Sequence, residues 1–566
     1  MLRACAVVLV SLAAAAAHAQ APEPVPAQAP ETTWSDFTIR ITPLVTVENH
    51  GYFRLRFNDF YRLDLGAAGA SGVPVGLERT ATNQALGRST GNVETANLRL
   101  SWRPTLRVGE YLTINTRIDF LDNMVLGETP ALAGPSAPVS FARTQAPLSD
   151  GGNSVRDSAR VKAAWADIRL FERIHVLGGR MPEHFGLGIL RNDGRGTDSD
   201  FGDFTDAVFV KVKLATAWFR IGMEFPGEGV TTESADRLVP IFDAEHLDDA
   251  MRWSFVFDST PFEKDEKDAR AHRLFVERKP AFDWAMYHSL LEQRLSSDRV
   301  GGPLPGYCGQ GPLKPFGLPY DCYTLTPRGV FVWTPALWGR VQWHPRPDLR
   351  LRVEAEFDFV YGFVDHTQSF IDTSKNDTSK RFIQVGTALE AEVGWRENEF
   401  GLLAGFASGG DTDGRFGVID AHTLAIPDDS RASLDPVVSR YDVRHFTFNR
   451  DYRVDSILFR EVIGAVTNAI YVKPTYRREV LRTGPHVLGV GGAVLTAIAA
   501  VPEGTPGNAR MLGVEPSLRI DYTFARQVAL RADMAVLFPL SALRQPGTTG
   551  DPAVASALRT SLVVGF

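Results

Sequence analysis

Residues 349–359 read LRLRVEAEFDF. Leu349, Leu351, Val353, Ala355, Phe357 and Phe359 alternate with Arg350, Arg352, Glu354, Glu356 and Asp358, so an extended chain puts all the charges on one face and all the apolar groups on the other. A soluble strand with one wet face shows the same pattern, so the decision rests on how often it recurs. Phe53, Leu55 and Phe57 alternate with Arg54, Arg56 and Asn58. Ile114–Phe120, Phe219–Phe225, Gln384–Trp395 and Leu518–Phe524 repeat it, with Arg117, Asp119, Glu390, Glu392, Arg519 and Asp521 on the polar faces. Amphipathic helices are scarce, and the chain reads as all β.

The connections alternate in length. Tight turns are expected at Arg107–Glu110, Pro345–Asp348, Arg396–Glu399 and Ala525–Gln527. Between them run Gly/Asp/Pro/Ser-rich stretches near 124–155, 183–205, 226–249, 294–327, 365–380, 409–455 and 539–555. A soluble sandwich has no reason to gather its long loops at one end, whereas a transmembrane barrel has short periplasmic turns and long outer loops. Trp343 and Trp395 beside tight turns, with Trp102 and Trp333 near strand ends, fit an interfacial aromatic girdle.

The N-terminus is an export signal. Arg3 precedes an apolar run from Ala4 to Ala17, and Ala17-His18-Ala19 is a cleavage site, giving a signal peptide over 1–19. A Pro/Ala-rich leader follows over 20–36 and the barrel over 37–566. The longest later apolar stretch, Val487–Val501, is too short and too Gly-rich to cross a membrane as a helix. The 566 residues carry a net charge of −7 without a block of Lys or Arg, which argues against nucleic acid as a partner.

At the other end, Leu558, Thr560, Leu562, Val564 and Phe566 share one face. This resembles the C-terminal signature of Gram-negative outer-membrane barrels, an amphipathic last strand ending in Phe that the barrel-assembly machinery recognises. The expectation is an all-β, transmembrane antiparallel barrel of about 18 strands (16–18) embedded in outer-membrane lipid. The count turns on 250–293, where Trp253–Asp258, His272–Arg278 and Asp283–Gln293 compete as strands. EFGLLAGFASGGDTDG over 399–414 and FTFNRDYRVDSILFREVIGAVTNAIY over 446–471 resemble the alginate-export type of barrel. That resemblance implies a porin-like or exporter-like transport class and identifies no substrate.

Lumen chemistry follows from the inward parity. Arg54, Arg56, Arg99, Arg103, Arg117, Arg340, Arg350, Arg352, Arg519 and Arg531 are expected to line a water-filled pore, with Asp119, Glu354, Glu356, Asp358, Glu390, Glu392, Asp521 and Asp533 among them. One reading is a ladder of cross-strand ion pairs stabilising the wall. The other is unpaired arginines facing acids, a field that selects a hydrophilic, anionic solute or oligosaccharide. The 409–455 loop is the candidate constriction, and Leu458, Glu461, Val462, Ala465 and Val466 have helical spacing. Cys308 and Cys322 are expected to pair in an oxidising compartment. Asp198, Asp200 and Asp203 offer oxygen ligands to Ca2+, or form a solvated acidic loop. No catalytic motif is present, so a channel leads, ahead of a surface adhesin or scaffold and then a barrel hydrolase with His184 or His288.

Overall fold

The computed structural model describes residues 37–42, 44–66, 92–125, 159–171, 173–227, 247–299, 323–365, 379–410, 443–544 and 550–566. The first strands are β1 (Phe37–Thr42), β2 (Val45–Tyr61), β3 (Asn92–Val108), β4 (Leu112–Val125), β5 (Ala159–Phe171) and β6 (Ile174–Pro182). Next come β7 (Phe204–Leu214), β8 (Ala217–Gly227), β9 (Ala250–Asp258), β10 (Ala281–Arg299), β11 (Tyr323–Arg346) and β12 (Leu349–Val364). The last are β13 (Lys380–Trp395), β14 (Asn398–Ala407), β15 (Ala469–Thr483), β16 (His486–Ala499), β17 (Met511–Phe524), β18 (Val528–Pro539) and β19 (Ala555–Gly565). Each of β2–β19 pairs antiparallel with its sequence neighbours, and β19 pairs with β2, so eighteen strands close a barrel and leave no edge.

Period two is realised as two different surfaces. The outer face exposes Phe57, Leu337, Val353, Phe357, Phe400 and Leu518, each more than a third accessible, where a soluble protein would bury them. Lipid is the solvent that makes this arrangement stable. Trp343 and Trp395 stand exposed near one end of their strands, as interfacial anchors do. That end carries links of two or three residues after β3, β5, β7, β11, β13, β15 and β17. Gly109 and Gly484 sit at positive φ (61° and 55°) in two of these turns, where a glycine costs least.

One link at the short-turn end departs from the rest. Between β9 and β10 the chain forms a helix, α1 (Lys264–Phe275), so His272–Arg278 is not the strand its composition allowed. Glu263 and Glu266 make a capping box at its start, which favours a helix over an extended chain. Removing that candidate settles the strand count at eighteen.

The seam between the chain's ends is continuous. Phe566 exchanges both backbone hydrogen bonds with Gly51 (2.9 and 3.0 Å), and β1 then pairs with β2 from Phe37↔Asn49 onward, on the same edge of β2. Any side chain at Gly51 would meet the Phe566 ring and the Ser101 carbonyl. Gly51→Val should therefore disrupt the seam at the terminal residue. The expected result is a marked loss of heat-modifiable, folded barrel on unboiled gels, while Gly492→Val, which points a new side chain outward, should fold as the parent does.

Candidate functional site: two loops pinned inside the barrel

Inside the barrel the structure departs from the expected water-filled lumen. Residues 183–203, between β6 and β7, and residues 443–468, between β14 and β15, fold inward from the long-loop end. Phe446, Phe448, Ile457, Phe459 and Val462 of the second loop pack with Ile189 of the first and with Tyr471, Leu495 and Leu537 on the wall, forming an apolar core within the lumen. Leu458–Ile463 makes a π-helical turn ended by Gly464 at φ 97°. The helical spacing seen in the sequence is realised here as that turn.

Loop backbone withdrawn from water must find partners, and the wall's charges supply them. Glu356 of β12 accepts from the amides of Gly188 (2.9 Å), Ile189 (3.5 Å) and Leu190 (3.3 Å). Glu515 of β17 does the same for Ser456 (2.8 Å), Ile457 (3.2 Å) and Leu458 (2.9 Å). Asp451, on the second loop, accepts from Asp200 (2.8 Å), Phe201 (3.1 Å) and Gly202 (2.7 Å) on the first. Three carboxylates thus each hold three consecutive amides and link wall, loop, loop and wall.

Arginines hold the carbonyls. Arg54 donates to Thr197 O (2.9 Å) and Ser199 O (3.2 Å), Arg99 to Ser199 O (2.7 Å) and Asp200 O (3.0 Å), and Arg117 to Asp193 O (3.0 Å) and Gly194 O (3.3 Å). Asp200 pairs with Arg56 (2.8 Å) and Arg453 (2.6 Å), and Asp198 with Arg460 (2.5 Å). Burial alone would raise the Asp198 carboxyl, but Arg460, Arg453 and Arg559 outweigh it and hold it well below the usual carboxylate range. Asp200 is lowered in the same way, with Arg56, Arg453 and Arg54 overcoming burial.

The residues expected to line the pore therefore divide in two. Arg54, Arg56, Arg99, Arg117, Glu354, Glu356 and Asp358 face inward but lie buried, Arg54 at 1% and Asp358 at 0% exposure. Five of them, Arg54, Arg56, Arg99, Arg117 and Glu356, anchor loop backbone directly and so do not meet a solute. Arg350, Arg352, Glu390, Glu392, Arg519 and Arg531 remain on accessible wall, with Arg352 at 40% and Arg519 at 51%. Most of this second group forms the ion-pair ladder: Arg352–Glu354 (2.9 Å), Arg350–Glu392 (3.3 Å), Arg477–Asp521 (2.5 Å) and Arg519–Asp533 (2.5 Å). Arg531 has no ion-pair or hydrogen-bond partner among the described residues.

The acidic 183–205 stretch is neither a solvated loop nor a gathering of ligands. Asp198 and Asp200 turn to arginines, whereas Asp203 accepts from the Asn192 amide (2.9 Å) and Asn449 (2.7 Å). Among the described residues no three His, Cys, Asp or Glu side chains converge as a metal site would require. Cys308 and Cys322 lie outside the described residues.

No protein-family model matches the chain, and no curated protein does. Among solved structures it is similar to Pseudomonas aeruginosa OccK11 (OpdR) at 11% identity and TM-score 0.44, covering 92% of this chain and 96% of that one. Acinetobacter baumannii OccAB3 gives 8% identity and TM-score 0.41, over 92% and 99% of the two chains. A BenF-like porin from Pseudomonas fluorescens Pf-5 gives 7% and 0.41, over 92% and 98%. At that distance the likeness says nothing of function.

Two outcomes follow from the anchoring. Glu356→Ala leaves three amides without their acceptor, a cost of about 2–3 kcal/mol, and should let trypsin cut at Arg191 and Arg195 in the folded barrel, where the parent resists. The Asp198 and Asp200 pairs have lowered carboxyls, so their stabilisation is present above the ordinary Asp range and lost only as pH falls below it. The loops should stay protected from pepsin at about pH 4 and become cleavable near Phe201 at about pH 2.

Proposed function

We propose that this chain is a passive outer-membrane channel for small hydrophilic solutes, with its solute path past the charged inner wall of β12–β18 at the short-turn end. The observation that carries this reading is the division of the interior. The loops fill the lumen from the long-loop end to mid-barrel, against β2–β4, β9–β12 and β15–β18, while inward-facing Thr475, Arg477, Glu479 and Arg519, nearer the short turns, keep water-accessible surface. A barrel closed by packed side chains, as a scaffold would be, has no need of accessible charge on its inner wall. The export signal over 1–19 and the terminal Phe566 strand support delivery to the outer membrane through the barrel-assembly machinery.

Selectivity in this reading comes from one group. The ladder neutralises most wall charge pair by pair, so the wall as a whole exerts little net field. Arg531 stands beside Arg519 without a partner of its own, and its guanidinium presents a fork that fits carboxylate or phosphate. An anionic solute would meet it below the loops.

Refolded protein in a planar bilayer under a salt gradient should show discrete conductance steps with anion preference. Arg531→Gln should lower the anion-to-cation permeability ratio by roughly twofold, the scale of one unit charge at a screened wall, with the step size little changed. An unchanged ratio would remove Arg531 from the solute path, and absence of steps in the parent would contradict the channel.

A further inference from the structure

The outer face carries a hollow where lipid-facing side chains fall short. Leu518, Met534 and Leu558 stand in one row across β17, β18 and β19, and Asp59 of β2 ends that row. In the next row toward the long-loop end, Ser556 lies between Val536 and Tyr61, with Asn92 beyond. Pro516 of β17 stands at the same level. It has no N–H to give, and the β17–β18 ladder is interrupted there, between Val514↔Phe538 and Ser517↔Ala535. Short Ser556 and the ring of Pro516, beside long Leu518, Met534 and Tyr61, leave a groove of about 770 Å3.

Its two ends differ chemically. Leu518 and Met534 continue the belt of exposed apolar side chains that faces lipid, so an acyl chain is the group that fits there. Asp59, half-buried at the other end, has no ion-pair or hydrogen-bond partner among the described residues. Glu94 of β3 stands directly across from it on the same outward face. Like charges opposite each other on a sheet repel, and beside hydrocarbon neither is well solvated. A cation between them relieves both costs. Next to Tyr61, exposed Arg62 lies over the tyrosine ring (5.1 Å to its centroid) and pairs with no carboxylate among the described residues. Its guanidinium fork is free for a phosphate.

We propose that this groove seats a zwitterionic phospholipid of the ethanolamine type, its ammonium between Asp59 and Glu94, its phosphate at Arg62 and an acyl chain over Pro516, Val536 and Ser556. The levels agree with this order. Tyr61 and Asn92 are the last and first residues of β2 and β3 at the long-loop end, where a head group lies, and the apolar row is deeper in the wall. A phosphoglycerol head brings a phosphate without a cation, and would set its charge against both carboxylates. The seat is on the outside of the barrel and does not rest on the channel reading.

The test is native mass spectrometry of refolded full-length protein in detergent, mixed with ethanolamine or glycerol phospholipid of identical acyl chains. Heat-modifiable migration confirms folded barrel in every sample. The parent should retain one ethanolamine phospholipid, with a preference of about tenfold over the glycerol form, the scale of one charge-assisted hydrogen bond. Ser556→Trp fills the groove and should retain neither. Gly339→Trp, outward on β11 with nothing nearer than 3.9 Å to a new Cβ, should behave as the parent. Asp59→Asn should still bind the ethanolamine lipid but lose most of the preference. Equal retention by the parent and Ser556→Trp would overturn the seat. Equal retention of the two head groups by the parent would overturn the ammonium site at Asp59 and Glu94. A second copy of the chain held in place of lipid, and lost in Ser556→Trp, would overturn the lipid as occupant.

Discussion

A carboxylate that accepts from three consecutive backbone amides does something a hydrophobic contact cannot: it fixes a stretch of irregular chain in a place where water cannot satisfy it. Glu356, Asp451 and Glu515 each do this, on Gly188–Leu190, Asp200–Gly202 and Ser456–Leu458. A loop folded into a barrel loses solvent from its amides and carbonyls without gaining a ladder, and every orphaned group costs about 1–3 kcal/mol. The three acceptors cover the amides, and Arg54, Arg99 and Arg117 cover the carbonyls. The apolar cluster of Phe448, Phe459 and Val462 packs into the frame these contacts set.

The same division of labour shapes the free part of the lumen. In the channel reading, charges spent on holding loops are lost to the solute path, which leaves the ion pairs of β12–β18 and Arg531, unpartnered among the described residues. The wall can thus be densely charged in sequence and nearly neutral to a passing solute. At the short-turn end α1 lies against inward-facing side chains of β7, β8, β10 and β11, apart from the accessible charges of β15 and β17.

Much of this was legible in the sequence. Alternation told which side of each strand faces in, tight turns told which end is which, and Phe566 marked the closing strand. Parity cannot tell what stands opposite an inward charge. Arg350 and Glu356 read alike in LRLRVEAEFDF, yet Arg350 faces accessible lumen and Glu356 a loop 166–168 residues away in the chain. NDGRGTDSDFGDFTD read as a metal or solvent loop because its arginine partners lie far off in the chain, on β2 and on the second loop. Gly194 and Gly202, both at positive φ and tight against loop backbone, were the local sign of a folded loop there. The helix at 264–275 was hidden for a different reason: it buries only Leu274, so no apolar stripe announces it.

The central claim is that the two loops are held in the lumen by the three carboxylates, and native-state hydrogen exchange of the unmodified protein in lipid tests it most directly. Gly188–Leu190, Asp200–Gly202 and Ser456–Leu458 belong to no strand, and apart from Gly188, which also donates to Phe185 O (2.9 Å), their amides have the carboxylates as acceptors. The account predicts that all nine exchange as slowly as amides in the barrel strands. Exchange at the rate of free loops would mean the segments do not stay inside, and the account would be wrong.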